Sequence, residues 1–491
     1  MEKRKVDDSY RHVLKYTGIF GGVQGLKVFV DILRNKLTAR MLGKVGMGLN
    51  AVYLNISEIM NSWTNFGIPF YTTRRVSELY EEGTEDDMQR FVEVIRTWSF
   101  WTAFLGGFLC FALASWLNQH YLPGEQHTLE IMLVSLFVAS LPIEAVECSI
   151  LKGLRRLRTV ALIEVVSAIS TLLFTIPFYY IWGMRGIAIS LVFCGWAAAL
   201  IHLYFSTQLY RYRIYLFSLS VIREGWPIAR IGIPYMLAGV LSAMATGEVY
   251  RYLEDMGEVG LYRAGVGLMV IYGGLVFKAI EADYFPRLSS VNHDTVRINH
   301  LINQQIDVCV LLLTPILILL ILFMPLIVRI LWTEEYLPVV PMAICAVFYL
   351  FFKSVAVPIA YTALAKADSW LFMIMEACYY SVFIVALRYG YAHWGLTGAG
   401  VGLSFMSMFD MFLVGIVYGF HYKVRVRKRT LLIFLSQGLL LLLTVVMCMK
   451  VTPWAGCLIG TICLLVSSVF SWRYLSPELP IVEKLKKRLH L

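Results

Sequence analysis

Charged residues are scarce in this chain of 491 residues, and their scarcity excludes a water-soluble globular protein. Only 15% of the residues are charged, whereas 58% are hydrophobic and 14% are aromatic. The mean hydropathy is +0.67. So little polar surface cannot cover a soluble protein of this length. The composition therefore predicts a membrane protein.

Other missing patterns exclude further classes. None of the nine cysteines belongs to a CxxC pair or has a histidine at zinc-ligand spacing, so we expect no metal site. No phosphate loop of the form GxxxxGKS or GxxxxGKT is present, and we expect no cofactor. The alternating segments of about ten residues that make transmembrane barrels are absent. The opening residues MEKRKVDDSYRH lack a short apolar core, which argues against a removable signal peptide.

What the sequence has instead is long apolar runs. They are about 20 to 27 residues long, and an α-helix of that length crosses a hydrocarbon layer of roughly 30 Å. Hydropathy therefore predicts an all-α polytopic membrane protein with about 14 transmembrane helices. The predicted spans are 13–33, 46–70, 92–118, 129–151, 160–182, 186–208, 230–252, 259–285, 305–331, 339–363, 370–390, 396–420, 431–450 and 455–473.

Basic residues gather at alternate connections between these spans. Examples are KGLRRLR (152–158) and HYKVRVRKR (421–429), whereas NQHYLPGEQH (118–127) on the other side has no Lys or Arg. This positive-inside bias predicts that both termini are cytoplasmic, and it accounts for the net charge of +10 without a nucleic-acid partner. The connection RNKLTARMLGK (34–44) is an exception to this bias, since it holds four cations on the predicted outer side.

The sequence contains an internal duplication. Three matches occur at an offset of 212 or 214 residues, which equals six spans, so the two repeats run parallel. The matches are LGKVGM (42–47) with MGEVGL (256–261), WGMRGIAIS (182–190) with WGLTGAGVG (394–402), and Glu164 with Glu376.

The duplication predicts two pseudo-symmetric six-helix lobes with the substrate between them near the membrane midplane. The N-terminal lobe comprises residues 1–208 and the C-terminal lobe residues 230–420. A cytoplasmic amphipathic linker, 209–229, joins them. Residues 421–491 add two extra transmembrane helices and a basic cytoplasmic tail.

Polar side chains form stripes on spans that hold equivalent positions in the two repeats. Spacings of three, four and seven residues place each stripe on one helical face, as expected for helices that line a shared cleft. The stripes are Gln24, Lys27 and Asp31 on the first span, Glu58, Asn61 and Asn65 on the second, and Tyr235, Ser242 and Thr246 on the seventh.

Ionisable groups inside spans are costly and often functional. Lys278 lies seven residues inside Phe285, and it either faces a wet cavity or pairs with Glu281. Lys27 has the same two alternatives, with Asp31 as its i,i+4 partner.

The remaining intramembrane charges also have two possible roles, a functional one and a structural one. Lys353 and Asp307 either line the cavity or stabilise the bundle, and Glu281 and Asp283 fit an interfacial pairing with Arg287. Carboxylates that could bind a proton or a coupling cation are Glu58, Glu144, Glu147, Asp307 and Asp410.

Several motifs resemble those of a known family. ARMLGKVGMGLNAVYLNISEIMNSWTNFGIPFYTTRRVSEL (39–79) resembles the second-span signature of bacterial O-antigen and polysaccharide flippases. GEVGLYRAGVGL (257–268), YFPRLSSV (284–291) and ALAKADSWLFMIMEA (363–377) resemble later signatures of the same group. These proteins belong to the multidrug/oligosaccharidyl-lipid/polysaccharide (MOP) exporter superfamily.

The resemblance implies two lobes in a V around a central cavity, working by alternating access. It also implies the substrate, an oligosaccharide on undecaprenyl diphosphate that moves from the inner to the outer leaflet of the bacterial cytoplasmic membrane. Membrane lipids and other polysaccharide-assembly proteins are the further partners expected. Basic residues are common in such cavities, and the resemblance carries Lys27 and Lys278 over to that role. The substrate-binding residues predicted are Gln24, Lys27, Asp31, Asn61, Asn65, Tyr235, Ser242, Thr246, Lys278 and Lys353.

Three rival functions remain open. A cation-coupled multidrug exporter of the same superfamily would favour a carboxylate-rich cavity over these lysines. A membrane polysaccharide polymerase or ligase would need a large outer loop with catalytic Arg or His, and the predicted outer connections are short. A scaffold has little reason to keep polar stripes on matched spans. We expect a transporter rather than an enzyme.

Overall fold

Apolar runs of the sequence form helices wherever the structure, a computed structural model, describes the chain. It describes residues 2–475 except 217, 273–276, 278–283, 286, 292, 367 and 451–452, and it leaves out the side chains of 2–24, 28, 82, 157, 219, 270–272 and 453. The described residues contain helices and no strand, which confirms the all-α expectation. The α-helices are α1 (Glu2–Thr64), α2 (Ile68–Glu82), α3 (Glu85–Ala112), α4 (Ala114–Tyr121), α5 (Thr128–Gly153), α6 (Leu157–Trp182), α7 (Gly186–Thr207), α8 (Leu219–Tyr252), α9 (Met256–Val266), α10 (Thr295–Leu331), α11 (Val339–Ala365), α12 (Ser369–His421), α13 (Lys428–Lys450) and α14 (Pro453–Leu475).

Nine helical stretches among the described residues are long and apolar enough to cross a membrane. Two of them, Arg158–Thr207 and Ser369–His421, are 50 and 53 residues long, so each has the length of two spans. Each contains a pair of spans predicted from hydropathy. The predicted span 259–285 overlaps α9 and a π-helical segment, Gly267–Tyr272, and most of its remainder lies outside the described residues.

The connection predicted at residues 34–44 is helical and belongs to α1. Within α1 the one residue given non-helical backbone angles is Gly43, with φ 63° and ψ −168°. Two helical stretches of α1 meet at this kink, which falls within the predicted connection. The four cations lie close to the kink, and Arg34 binds Asp31 of the first stretch at 3.4 Å.

The WGxxG repeat of the sequence corresponds to a turn between two helices. Gly183 and Gly395, 212 residues apart, have φ of 55° and 56°, a region that glycine adopts without a Cβ penalty. Three residues later, a Cβ on Gly186 would overlap the carbonyl oxygen of Phe178, and one on Gly398 would overlap that of Gly390. Both contacts join equivalent positions, so the duplicated motif makes the same close turn twice.

The helices group into two compact units, Met1–Gly260 and Leu261–Leu491. In the first unit, an apolar cluster of α2, α3, α5 and α8 includes Val76, Val92 and Ile150, each fully buried. The duplication assigns α8 to the second repeat, yet its contacts with α1 place it in the first unit. The domain boundaries predicted from the duplication stay a prediction.

In the second unit, α11 is the most enclosed helix and packs against α10 and α12. The C-terminal helices α13 and α14 pack on α10 and on each other. Between them the buried amide of Gln437 accepts a hydrogen bond from the Ser467 hydroxyl at 2.7 Å. Such polar contacts hold helices together where lipid supplies no hydrophobic driving force.

Candidate functional site

Lys27 forms an ion pair with a carboxylate on another helix. Its Nζ lies 3.1 Å from Oε2 of Glu164 on α6, and the two side chains are 36% and 28% exposed. The i,i+4 partner considered from sequence, Asp31, instead binds Arg34. A half-exposed pair of this kind contributes at most about 1 kcal/mol, so its partners can exchange.

Lys353 and Asp410, both singled out from the sequence, pair with each other. Lys353 Nζ on α11 lies 2.9 Å from Asp410 Oδ2 on α12, and the side chains are only 19% and 11% exposed. The ammonium group also lies 4.2 Å from the centre of the Tyr379 ring, a cation–π contact. Glu376, the repeat equivalent of Glu164, is within electrostatic range of both charges. The Lys353 ammonium group therefore attracts the carboxylates of both Asp410 and Glu376, in a largely buried position.

Two predicted asparagines lie at the end of α1. Asn65 Oδ1 accepts a hydrogen bond from the Gly67 backbone N–H at 2.8 Å, which stabilises the turn into α2. Asn61 is half-buried one turn earlier, and its backbone carbonyl accepts from the Asn65 N–H at 2.9 Å. The Asn65 side chain thus has a local structural role in this state.

The predicted residues of α8 lie on a helix that packs against α1. Asn55 of α1 donates to the Ala243 carbonyl at 2.9 Å, which ties the two helices together. Beside this contact, Thr246 donates its hydroxyl hydrogen to the Ser242 carbonyl at 3.0 Å. Tyr235 stacks on Phe70 with ring centres 4.1 Å apart. The helices α1 and α8, which both carry predicted polar residues, therefore pack against each other in the first unit.

Several predicted residues cannot be placed further. Lys278, Glu281 and Asp283 lie outside the described residues, as does the side chain of Gln24. Glu58 is exposed on α1. Asp307 is half-buried on α10. The roles predicted for these residues stay predictions.

The most enclosed ion pair of the described residues joins α3 to α5. Arg96 donates to both oxygens of Glu147 at 2.8 and 2.9 Å, and the side chains are 1% and 2% exposed. Arg96 also donates to the carbonyls of Tyr210 and Arg211 at 3.0 Å. The pair thereby fixes the segment that connects α7 to α8, and it leaves Glu147, a predicted proton site, fully bound.

A surface cavity of about 520 Å³ lies between α2, α3 and α8, and its described lining contains none of the predicted substrate residues. Both arginines of its lining are paired: Arg75 binds Glu78 at 3.1 Å, and Arg90 binds Glu224 at 2.8 Å. Burial raises the pKa of Glu78, but the hydrogen bonds from Arg75 and Arg74 outweigh it, and the net shift is downward. Because Asp87 also lines the cavity, its three carboxylates outnumber its two arginines, and the net negative charge does not suit an anionic ligand.

Sequence patterns did not identify all of the residues that form these pairs. Glu164 and Glu376 were noted as repeat markers but not as site residues, and Arg96 lies near the edge of a predicted span. The signal available for Glu164 was a carboxylate four residues inside the predicted span 160–182, since an unpaired charge within a span is costly.

Comparison with protein families gives one match, to a family model described as "Polysaccharide biosynthesis protein", over residues 37–341. That range is more than half of the chain. No curated protein matches the sequence at a significant level.

Solved structures of similar fold are transporters. The lipid II flippase MurJ in an inward closed conformation is 14% identical with a TM-score of 0.72, and the match covers 93% of this chain and 99% of that one. A MATE transporter of Vibrio cholerae is 13% identical with a TM-score of 0.58, over 83% of this chain and 98% of that one. A MOP superfamily transporter from Pyrococcus furiosus is 15% identical with a TM-score of 0.53, over 81% and 92%. At these identities the likeness shows the fold, which is the one the sequence motifs predicted.

Proposed function

Because the chain belongs to the polysaccharide biosynthesis protein family, we propose that it is a flippase for a lipid-linked oligosaccharide. The substrate proposed is an O-antigen or related repeat unit on undecaprenyl diphosphate, moved from the inner to the outer leaflet of the bacterial cytoplasmic membrane with both termini cytoplasmic. One observation carries the proposal. A member of this family has, over 93% of its length, the fold of a lipid II flippase.

The charges within the spans support an anionic substrate. A diphosphate cannot enter a low-dielectric region without cations or hydrogen-bond donors along its route. Lys27 is half-exposed and held by one carboxylate at 3.1 Å, so a phosphate oxygen can replace Glu164 as its partner. Lys278 is the second cation proposed for the headgroup. The amides and hydroxyls of the polar stripes are suited to the sugars.

The same contacts weigh against the multidrug exporter of the MOP superfamily. A cationic drug needs carboxylates that are not neutralised by the protein itself. Glu164 has Lys27 as its partner, and Asp410 has Lys353. Transport needs no covalent step, so we do not propose an enzyme. Other polysaccharide-assembly proteins remain proposed partners.

The test is deletion of the gene followed by measurement of lipid-linked oligosaccharide in each leaflet. We expect the oligosaccharide to accumulate in the inner leaflet, and we expect the wild-type gene to reverse this. Lys27→Ala and Lys278→Ala should fail to do so. Lys450→Ala, which removes an exposed lysine at the end of α13, is the matched control and should restore transport.

Two outcomes would overturn the proposal. Normal distribution of the lipid-linked oligosaccharide, with a change only in drug sensitivity, would favour the exporter. Full rescue by both lysine variants would show that neither lysine handles the headgroup.

A further inference from the structure

Two short non-helical segments follow the helices α7 and α12. The first connecting segment, residues 210–216, leads from α7 towards α8, and the second, residues 422–427, leads from α12 to α13. YRYR (210–213) and YKVR (422–425) match at the offset of 212 residues that also relates the two WGxxG turns. One segment belongs to each unit. Six predicted spans separate them, so we expect both at the same face of the membrane.

Two asparagines of α10 hold the backbone of the second connecting segment. Asn299 donates to the Lys423 carbonyl at 3.0 Å and accepts from the Arg425 N–H at 2.7 Å. Asn303 repeats this pattern one turn later, with the Arg425 carbonyl at 2.8 Å and the Arg427 N–H at 2.7 Å. One helical turn rises about 6 Å and two extended residues span about 7 Å, so the asparagines can bond every second residue as a neighbouring strand does. The backbone of this segment is therefore fixed.

Side chains of α3 hold the backbone of the first connecting segment. Arg96 donates to the carbonyls of Tyr210 and Arg211, both at 3.0 Å. The Thr97 hydroxyl oxygen accepts from the Tyr215 N–H at 3.1 Å. The helices α3 and α10 contain the third and the ninth predicted span, which hold equivalent positions in the two repeats. Equivalent helices therefore fix equivalent segments, although they use different side chains.

The basic side chains of the second segment remain at the surface. Lys423, Arg425 and Arg427 are all exposed. Alternate side chains of an extended chain share a face, so Arg425 and Arg427 lie on one side with Cα atoms about 7 Å apart. Arg427 also donates to Nδ1 of His300 at 3.1 Å. Of the carboxylates that the structure describes, none lies within ion-pair distance of Arg425 or Arg427, so both charges are available to a ligand.

The first segment has a similar surface. Arg211 and Arg213 are exposed, and so are the rings of Tyr212 and Tyr215. Arg213 lies 3.8 Å from Glu93, whereas no described carboxylate is within ion-pair distance of Arg211. Tyrosine is enriched at the boundary between lipid and water. Cations and aromatic rings thus alternate along this segment.

Both segments lie where the apolar surface of a span ends. Tyr204 near the end of α7 and Phe420 near the end of α12 are exposed, as are Leu431 and Leu432 at the start of α13. On helices that cross a membrane, exposed apolar side chains contact lipid. A short segment that joins the ends of two such helices lies at the membrane surface. Its cations are therefore at the level of the phosphate groups of the adjoining leaflet.

We propose that each connecting segment binds the phosphate group of an anionic phospholipid from the adjoining leaflet. This inference goes beyond the proposed function and does not depend on it. The arginines supply paired N–H donors for the phosphate oxygens. The side chains of α3 and α10 hold the backbone, so that less order has to be imposed when the lipid binds. General attraction to an anionic surface depends on total charge, whereas binding at these sites depends on particular arginines.

The first test counts bound lipids by native mass spectrometry of the full chain released from detergent. Dioleoyl phosphatidylglycerol is the probe, and dioleoyl phosphatidylcholine is the lipid without net charge. We expect two phosphatidylglycerol molecules to bind more tightly than phosphatidylcholine. Arg211→Gln and Arg425→Gln should each weaken one of the two by about fivefold. The matched control is Arg473→Gln, which removes an exposed arginine in the last turn of α14 and should leave both affinities unchanged.

The second test keeps every charge and releases the backbone. Asn299→Ala removes the hydrogen bonds to the Lys423 carbonyl and to the Arg425 N–H. We expect it to weaken the phosphatidylglycerol molecule that depends on Arg425 by about threefold, because the arginines are then less ordered before binding. The molecule that depends on Arg211 should bind as in wild type, and it serves as the internal control for folding.

Three outcomes would overturn the inference. Equal affinity for the two phospholipids would show that the segments do not select an anionic headgroup. Equal weakening by Arg425→Gln and Arg473→Gln would reduce the effect to overall charge, and an unchanged affinity in Asn299→Ala would remove the role of the fixed backbone. A parallel titration with geranylgeranyl diphosphate separates the two sources of phosphate. If Arg425→Gln weakened only this probe, the segment would bind the headgroup of a diphosphate lipid and not a phospholipid.

Discussion

The two intramembrane lysine pairs differ in how enclosed they are. In the first unit, Lys27 and Glu164 are 36% and 28% exposed; in the second, Lys353 and Asp410 are 19% and 11% exposed, with the Tyr379 ring against the ammonium. An exposed pair exchanges partners at little cost, whereas separating an enclosed pair strands a charge. Both lysines are intramembrane charges in the sequence. Their surroundings suit Lys27 to binding a ligand and Lys353 to holding helices together.

The Arg96–Glu147 pair is less exposed than either lysine pair. At 1% and 2% exposure, with two backbone carbonyls as further acceptors, it has no accessible surface to offer a ligand. If exposure separates functional pairs from structural ones, stability should fall most when this pair is broken and least when the Lys27 pair is broken.

The largest loss is expected from Arg96→Ala. It leaves Glu147 buried and uncompensated, and the free energy of unfolding should fall by about 3–5 kcal/mol. Thermal or denaturant unfolding in detergent measures this. The control is Arg90→Ala, whose pair with Glu224 is 42% and 46% exposed and should contribute less than about 1 kcal/mol. Equal losses in the two variants would contradict the ranking by exposure.

A second experiment compares Lys353→Met with Lys27→Met. The first should lower the free energy of unfolding by about 3 kcal/mol, because Asp410 loses its partner. The second should lower it by less than about 1 kcal/mol. Replacing both members of the enclosed pair, as Lys353→Met with Asp410→Leu, should recover much of the loss. If Lys27→Met were as unstable as Lys353→Met, the Lys27 pair would be structural.

A third experiment concerns the repeated turn, where the expected loss is smaller than at the enclosed ion pairs. Gly183→Ala and Gly395→Ala should each cost about 1–3 kcal/mol, because both residues have a positive φ that a side chain rarely adopts, while an added Cβ meets nothing within 4 Å. Gly415→Ala is the control: it also has open space but is helical, and it should be neutral or slightly stabilising. Unequal losses at Gly183 and Gly395, measured by the same unfolding assay, would show that the two repeats do not share the turn.

Sequence patterns predicted the helices and turns better than they predicted which charged residues pair with each other. Apolar length alone placed α5, α6, α7 and α11 within a few residues, because a helix satisfies its own backbone in lipid. The WGxxG match marked a turn, since only its glycines permit the positive φ and the close contact. The connection predicted at residues 34–44 corresponds to the kink at Gly43, although helix continues up to the kink on both sides.

The pairing of charges could not be obtained in this way. Helical spacing offered Asp31 as a partner for Lys27, while the actual partner, Glu164, is 137 residues away. Lys353 and Asp410 were each identified as intramembrane charges, but nothing in their 57-residue separation indicates that they meet. Partners of this kind depend on how helices pack, and periodicity within one helix carries no information about that.

The most direct test of the central claim is translocation by purified protein in liposomes, using a fluorescent undecaprenyl-diphosphate-linked oligosaccharide. Wild type should move the lipid between leaflets. Lys27→Ala should be slower by about tenfold or more, the expected cost of one charge-assisted hydrogen bond, while Lys27→Arg should retain part of the rate. An unchanged rate in Lys27→Ala, or no translocation by folded wild-type protein, would contradict the account.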